Sequence, residues 1–110
     1  MSDINKLGII RMTQEQTISW IFMAIGMASS SGAIDTKSIS MTADAINHAL
    51  PTHHELQNSF KWLLEKKLIA EENKKYYLTD IGKVEFDKAM KRSGRFAIWE
   101  RLEKTIRDYT

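Results

Sequence analysis

Residues 51–82 read PTHHELQNSFKWLLEKKLIAEENKKYYLTDIG, and their order sets the architecture expected of the whole chain. Thr52 can cap a helix through its hydroxyl, and Glu55, three residues on, can reach back to the cap's own amide, the spacing of a capping box. Leu56, Phe60, Leu63, Leu64 and Leu68 then recur at three- and four-residue steps, which puts them on one buried stripe. The opposite face carries His53, His54, Gln57, Asn58 and Lys61. Leu68-Ile69-Ala70 begins a short strand, Glu71 to Lys75 form a polar turn with Asn73 at its tip, and Tyr76-Tyr77-Leu78 return as a second strand. Thr79 caps the next helix, with Asp80 favourably placed against its dipole.

Upstream, Thr13 and Gln16 make a second capping-box spacing before a helix expected from Gln14 to Ser29. Ile18, Ile21, Phe22, Ile25 and Ala28 form its core face, while Trp20, Met23 and Met27 make a second apolar stripe. Two apolar sides imply cover on two sides, the second expected from another subunit. A loop follows, with Gly32 as its turn residue. Ser38 to Met41 read as a short strand, the third member of the sheet, and Thr42 as the cap of a short helix from Ala43 to Leu50 with Ala43, Ile46 and Leu50 inward. Met1 to Met12, with Ile4, Leu7, Ile9 and Ile10, read as an arm or strand that docks on the domain.

Downstream, Ile81, Val84, Phe86 and Met90 are the expected packing positions of the helix after Thr79. Ser93-Gly94 is a helix break, since glycine in a helix interior costs about 1 kcal/mol. A last helix, Phe96 to Tyr109, carries Ile98, Leu102, Ile106 and Tyr109 on one stripe, widened by Trp99. With the small domain already complete, that stripe predicts a homodimer interface built from Trp20, Met23, Met27, Phe96, Trp99, Leu102, Ile106 and Tyr109.

Composition narrows the function classes. A chain of 110 residues with 43% hydrophobic residues is expected to be one globular domain, its core at 14–92 and its dimerisation helix at 95–109. With 16 Lys+Arg against 14 Asp+Glu the net charge is +2, so any nucleic-acid contact must come from a local patch. The chain has no cysteine, which removes disulfides, thiolate metal sites and thiol nucleophiles and fits a cytoplasmic setting. The apolar run Ile18 to Ala28 superficially resembles a signal peptide, but Gln14-Glu15-Gln16 before it fit a helix first turn instead. It is also short of the roughly 20 apolar residues of a membrane span. His48, His53, His54 and Glu55 have no metal-ligand spacing, so no metal is expected. Ser29 to Ser31 lack a strand-turn-helix elbow, and no glycine-rich phosphate loop or carboxylate pair is present. The chain is expected not to be an enzyme and to need no cofactor.

From Thr42 to Ala89, and above all in Leu63-Leu64-Glu65-Lys66-Lys67-Leu68-Ile69 followed by Tyr77-Leu78-Thr79-Asp80-Ile81-Gly82, the chain resembles winged helix-turn-helix transcription regulators of the multiple-antibiotic-resistance and phenolic-acid-regulator type. The implied fold class is mainly α with a small β-wing and an additional C-terminal helix. The chain departs from the pattern at Lys67, where those families usually carry glycine, and in a short wing without arginine. The resemblance implies a homodimer on double-stranded DNA with the helix after Thr52 in the major groove. By that match His53, His54, Gln57, Asn58 and Lys61 face bases and phosphates, and Lys74, Lys75 and Lys37 serve as phosphate contacts. It also implies room for a small-molecule effector, with Trp20, Phe22, Phe96 and Trp99 as candidate lining, second to plain packing as their expected role. The alternative is a protein-interaction or scaffold module in which the same near-neutral face and an exposed Trp62 meet a partner protein.

Overall fold

A computed structural model describes residues 12–110, and the expected arm at 1–12 falls almost wholly outside them. The described chain is mainly helical with a two-stranded antiparallel sheet. Its order is α1 (Gln14–Ala28), α2 (Thr36–Asn47), α3 (His53–Glu65), β1 (Ile69–Glu72), β2 (Lys75–Leu78), α4 (Asp80–Met90) and α5 (Arg95–Tyr109). No helix among the described residues is long and apolar enough to cross a membrane.

Helix α1 is the axle of the molecule. Thr13 Oγ1 accepts from the Gln16 amide at 3.0 Å and the Gln16 side chain accepts from the Thr13 amide at 2.8 Å, so both halves of the capping box form. Every residue from Ile18 to Gly26 is buried. The cover is intramolecular, for α2, α3 and α5 all pack on this helix. Trp20 is therefore a core residue: its Nε1 donates to the Ala43 carbonyl at 2.9 Å, and its ring stacks on Trp99 at 6.3 Å.

This packing corrects the expected dimer interface. Trp20, Met23, Leu102 and Ile106 are buried within one chain, and Trp99 and Tyr109 are half-buried. Trp99 Nε1 donates to the Gln16 carbonyl and to Ser19 Oγ, and the Tyr109 hydroxyl donates to Glu85 Oε2 at 3.0 Å. The stripe of α5 is covered by α1 and α4. Of the eight residues assigned to a subunit contact, Met27 and Phe96 remain exposed.

Helix α2 begins earlier than expected. Asp35, not Thr42, is its cap, with Oδ1 accepting from the Ser38 amide at 2.9 Å. That hydrogen bond, then the neighbouring Ser38 hydroxyl, Lys75 and Lys37, hold the Asp35 carboxyl below its ordinary range. Ser38 to Met41 are consequently helical. Ile39, Ala43 and Ile46 have the three- and four-residue spacing of one buried stripe, which outweighs the strand preference of Ser38-Ile39-Ser40. The third partner of the sheet is instead Ile34, bridged to Tyr76 by two backbone bonds of 2.9 and 2.8 Å. His48 ends α2 in a left-handed conformation (φ 57°), so Leu50 falls beyond the helix and is exposed.

Helix α3 and the hairpin follow the sequence expectation closely. Thr52 and Glu55 make the reciprocal capping box, and Leu56, Phe60 and Leu63 are buried. Lys66 and Lys67 end the helix in a Schellman motif, with the Leu68 amide donating to the Leu63 carbonyl and the Lys67 amide to Leu64. Lys67 has φ 61°, the left-handed seat that glycine usually takes. Strands β1 and β2 pair Ile69 with Leu78 and Glu72 with Lys75, joined by Asn73 and Lys74, both at positive φ, as a two-residue hairpin turn requires.

Helix α4 is turned relative to expectation. Its buried stripe is Gly82, Phe86 and Ala89, while Ile81, Val84 and Met90 are exposed. Phe86 packs as expected, whereas the inward place expected of Ile81 is taken by Gly82, one residue and about 100° further round. Gly82 is the cause, because a Cβ there would collide with the Leu68 carbonyl oxygen. The same junction is held by Thr79, whose Oγ1 donates to the Lys67 carbonyl at 2.7 Å and accepts from the Gly82 amide at 3.0 Å. Phe86 in turn occupies the space over Gly26, edge-on to Phe22. The Ser93-Gly94 break forms as expected, with Gly94 at φ 95° just before α5.

Candidate nucleic-acid interface

Burying Leu56, Phe60 and Leu63 against the core fixes which side of α3 meets solvent. His53, His54, Gln57, Asn58 and Lys61 are all exposed. They form two rows along the helix: His53, Gln57 and Lys61 at four-residue steps, and His54 with Asn58 beside them. The Asn58 amide nitrogen lies 2.9 Å from His54 Nε2, a contact that orients both side chains. With the amide donating, Asn58 keeps one N–H and its Oδ1 free for another partner. Glu65, four residues beyond Lys61, continues the first row and is exposed, but none of the five residues enters an ion pair among the described residues. Glu55, the acidic residue of the first turn, is engaged in the capping box.

The hairpin lies alongside α3. Tyr76 stacks on Phe60 with centroids 4.3 Å apart and planes 22° from parallel. β1 starts at the C-terminal end of α3, Tyr76 on β2 contacts Phe60 in the middle of that helix, and the hairpin turns at Asn73-Lys74. A four-residue strand spans about 13 Å, against about 20 Å for α3. Lys74 and Lys75 are exposed at that turn. Lys37, in the first turn of α2, comes together with Lys75 at Asp35, whose carboxylate both lysines stabilise. Part of their positive charge is thus met inside the chain.

Trp62, expected to be exposed, is half-buried, with Lys66 Nζ 5.6 Å from its ring centroid. Of the aromatic set named as a candidate effector lining, Trp20 and Phe22 pack in the core, the role expected of them first, and Phe96 and Trp99 border a groove. A methionine-lined groove bounded by α1, α2, α4 and α5, 320 Å³ in volume, was not foreseen. In the sequence Met23 and Met27 stand four residues apart but Met90 lies far from them, so the three meet only through the packing of the helices. Comparison of the chain with protein-family models, with characterised proteins and with solved structures finds no match.

Proposed function

We propose that the protein is a winged helix-turn-helix transcription regulator that binds double-stranded DNA as a homodimer, with α3 lying in the major groove and the hairpin as its wing. The observation that carries this reading is the outer face of α3. Five hydrogen-bonding side chains stand there in two rows, with Glu65 the carboxylate in line with them at the helix's C-terminal end, on a helix fixed by its capping box and its buried stripe. Gln57 and Asn58 have the amide pair that recognises adenine, and Lys61 can donate to guanine or phosphate. Lys74 and Lys75 on the returning hairpin, with Lys37 beside them, supply backbone contacts. The reading is one of binding rather than catalysis.

One observation favours a protein-interaction module instead. Between Pro51 and Leu78, Lys61, Lys66, Lys67, Lys74 and Lys75 are nearly balanced by Glu55, Glu65, Glu71 and Glu72. A duplex-binding surface so close to neutral depends on a matched site or on two copies acting together.

The test is a polarisation titration against random duplex at low and moderate salt. Lys61→Ala is expected to weaken binding to all duplexes and to reduce the salt slope by about one phosphate contact. Gln57→Ala or Asn58→Ala is expected to relax base preference at about 1–3 kcal/mol each. A parent protein without salt-dependent duplex binding overturns the regulator reading in favour of the interaction module.

A further inference from the structure

Two carboxamides stand on the outer face of α3, and one of them is held. Asn58 Nδ2 lies 2.9 Å from His54 Nε2, whereas Gln57 makes no side-chain hydrogen bond among the described residues. We infer, resting on the regulator reading, that His54 is a positioning residue for Asn58 and that the pair confines one position of a bound duplex to adenine.

Every carboxamide carries an ambiguity that such a contact removes. Turned over about its last bond, an Asn side chain keeps its shape but exchanges its acceptor for its donors. Adenine presents a donor, N6, beside an acceptor, N7. It therefore fits one orientation of the amide, in which Oδ1 meets N6 and an Nδ2 hydrogen meets N7. In the other orientation like faces like, and both hydrogen bonds are lost.

An amide nitrogen donates and does not accept, so the 2.9 Å contact makes His54 Nε2 the acceptor and leaves the ring proton on Nδ1. One Nδ2 hydrogen is engaged by the ring. Oδ1 and the second hydrogen remain side by side on the outward edge, in the pattern that complements N6 and N7.

His54 is also the one neighbour able to do this. Side chains a turn away from Asn58 stand three or four positions off, at His54, Glu55, Lys61 and Trp62. Glu55 Oε1 is turned back to the Thr52 amide at 2.8 Å, and Lys61 and Trp62 carry donors alone. An amide held before contact loses little rotamer freedom on binding. Gln57, with no such partner, can turn either way to suit a base.

Selection of bound sequences from a random duplex pool, followed by polarisation titration of the selected duplex and its single-base variants, tests the pair. The duplex position whose preference relaxes in Asn58→Ala is the one that Asn58 reads, and it is expected to be adenine. His54→Ala should relax preference at that same position by about fivefold, the weight of one neutral hydrogen bond. Added to Asn58→Ala it should change the preference no further, because the two residues act as a unit. Two more substitutions set charge against preference. His54→Glu presents an acceptor, so it should weaken binding to every duplex through its charge and still keep the adenine. His54→Lys presents donors alone, so it should tighten binding to every duplex while turning the amide over and losing the adenine. Both positions are exposed, so the fold is expected to hold, with circular dichroism as the check. A preference untouched by His54→Ala, one that rises and falls with affinity in the Glu and Lys variants, or an Asn58-dependent position other than adenine overturns the inference and leaves the regulator reading standing. A parent protein that binds no duplex overturns the regulator reading, and the base assignment with it.

Discussion

The outer faces of α3 and α5 are both polar, yet they are built on opposite terms. Along α5, Lys104 pairs with Asp108 at 3.0 Å and Arg107 with Glu103 at 2.6 Å, each one turn apart. Arg101 Nη1 donates to the buried Thr105 hydroxyl. Along α3 the exposed side chains have a single mutual contact, His54 to Asn58, and no ion pair among the described residues. One helix satisfies its polar groups against itself and is finished as a surface. The other leaves its donors and acceptors to water, which any partner with matching groups can displace.

The largest effect should come from attacking the inner face of α5. Leu102→Ala is expected to cost about 2–5 kcal/mol, as for other fully buried leucines, seen as a lower midpoint in urea. A change near zero would mean that α5 is an appendage and not part of the core. Next, Thr52→Ala should destabilise the chain by about 1 kcal/mol through loss of the α3 cap, and it should weaken any partner of α3 by fraying the first turn. Of similar size and opposite sign, Lys67→Gly should raise the thermal midpoint, because a non-glycine residue in the left-handed conformation costs about 1–2 kcal/mol. Smaller still, Arg107→Ala should cost less than about 1 kcal/mol and be masked by salt, since the pair it breaks is exposed. Lys61→Ala should leave the midpoint unchanged, which sharpens the contrast between a self-paired and an unpaired face.

The smallest effect concerns pH. The Asp35 carboxyl is lowered in the folded chain from an ordinary value of 3.8. Its contribution is therefore complete above that value and is lost as pH falls through the lower folded one. Asp35→Asn, which can still cap α2, should flatten the acid limb of the thermal midpoint.

Local chemistry was legible in the sequence wherever one residue answers to one neighbour. Thr13 with Gln16, Thr52 with Glu55, and Thr79 before Gly82 all cap as their spacing predicts, and the hairpin turns at Asn73. What covers an apolar stripe was not legible. Leu102 and Ile106 spell out a buried face, but periodicity carries no information on whether the cover is α1 of the same chain or a second copy. Helix α4 shows a related limit. Ile81 and Val84 look like core, yet the close approach at Leu68 requires the face that carries Gly82. At α2 two caps competed, and Asp35 won because it brings Ile39 inward as well as Ala43 and Ile46. The exposed face of α3 was readable as a set of residues, whereas the groove beside Phe96 depends on four helices meeting and has no contiguous signature.

The Trp20–Trp99 stack has an optical consequence. Two indoles with centroids 6.3 Å apart and planes 27° from parallel share their electronic transitions, which gives a paired signal in far-ultraviolet circular dichroism. That signal belongs to the seating of α5 on α1 and vanishes if the helix lifts away, even when helix content is kept. Trp62, the remaining tryptophan, sits half-buried on α3 under Lys66, so its emission follows the other end of the molecule. Docking of the last helix can thus be followed apart from helix content, in one cuvette and without a label.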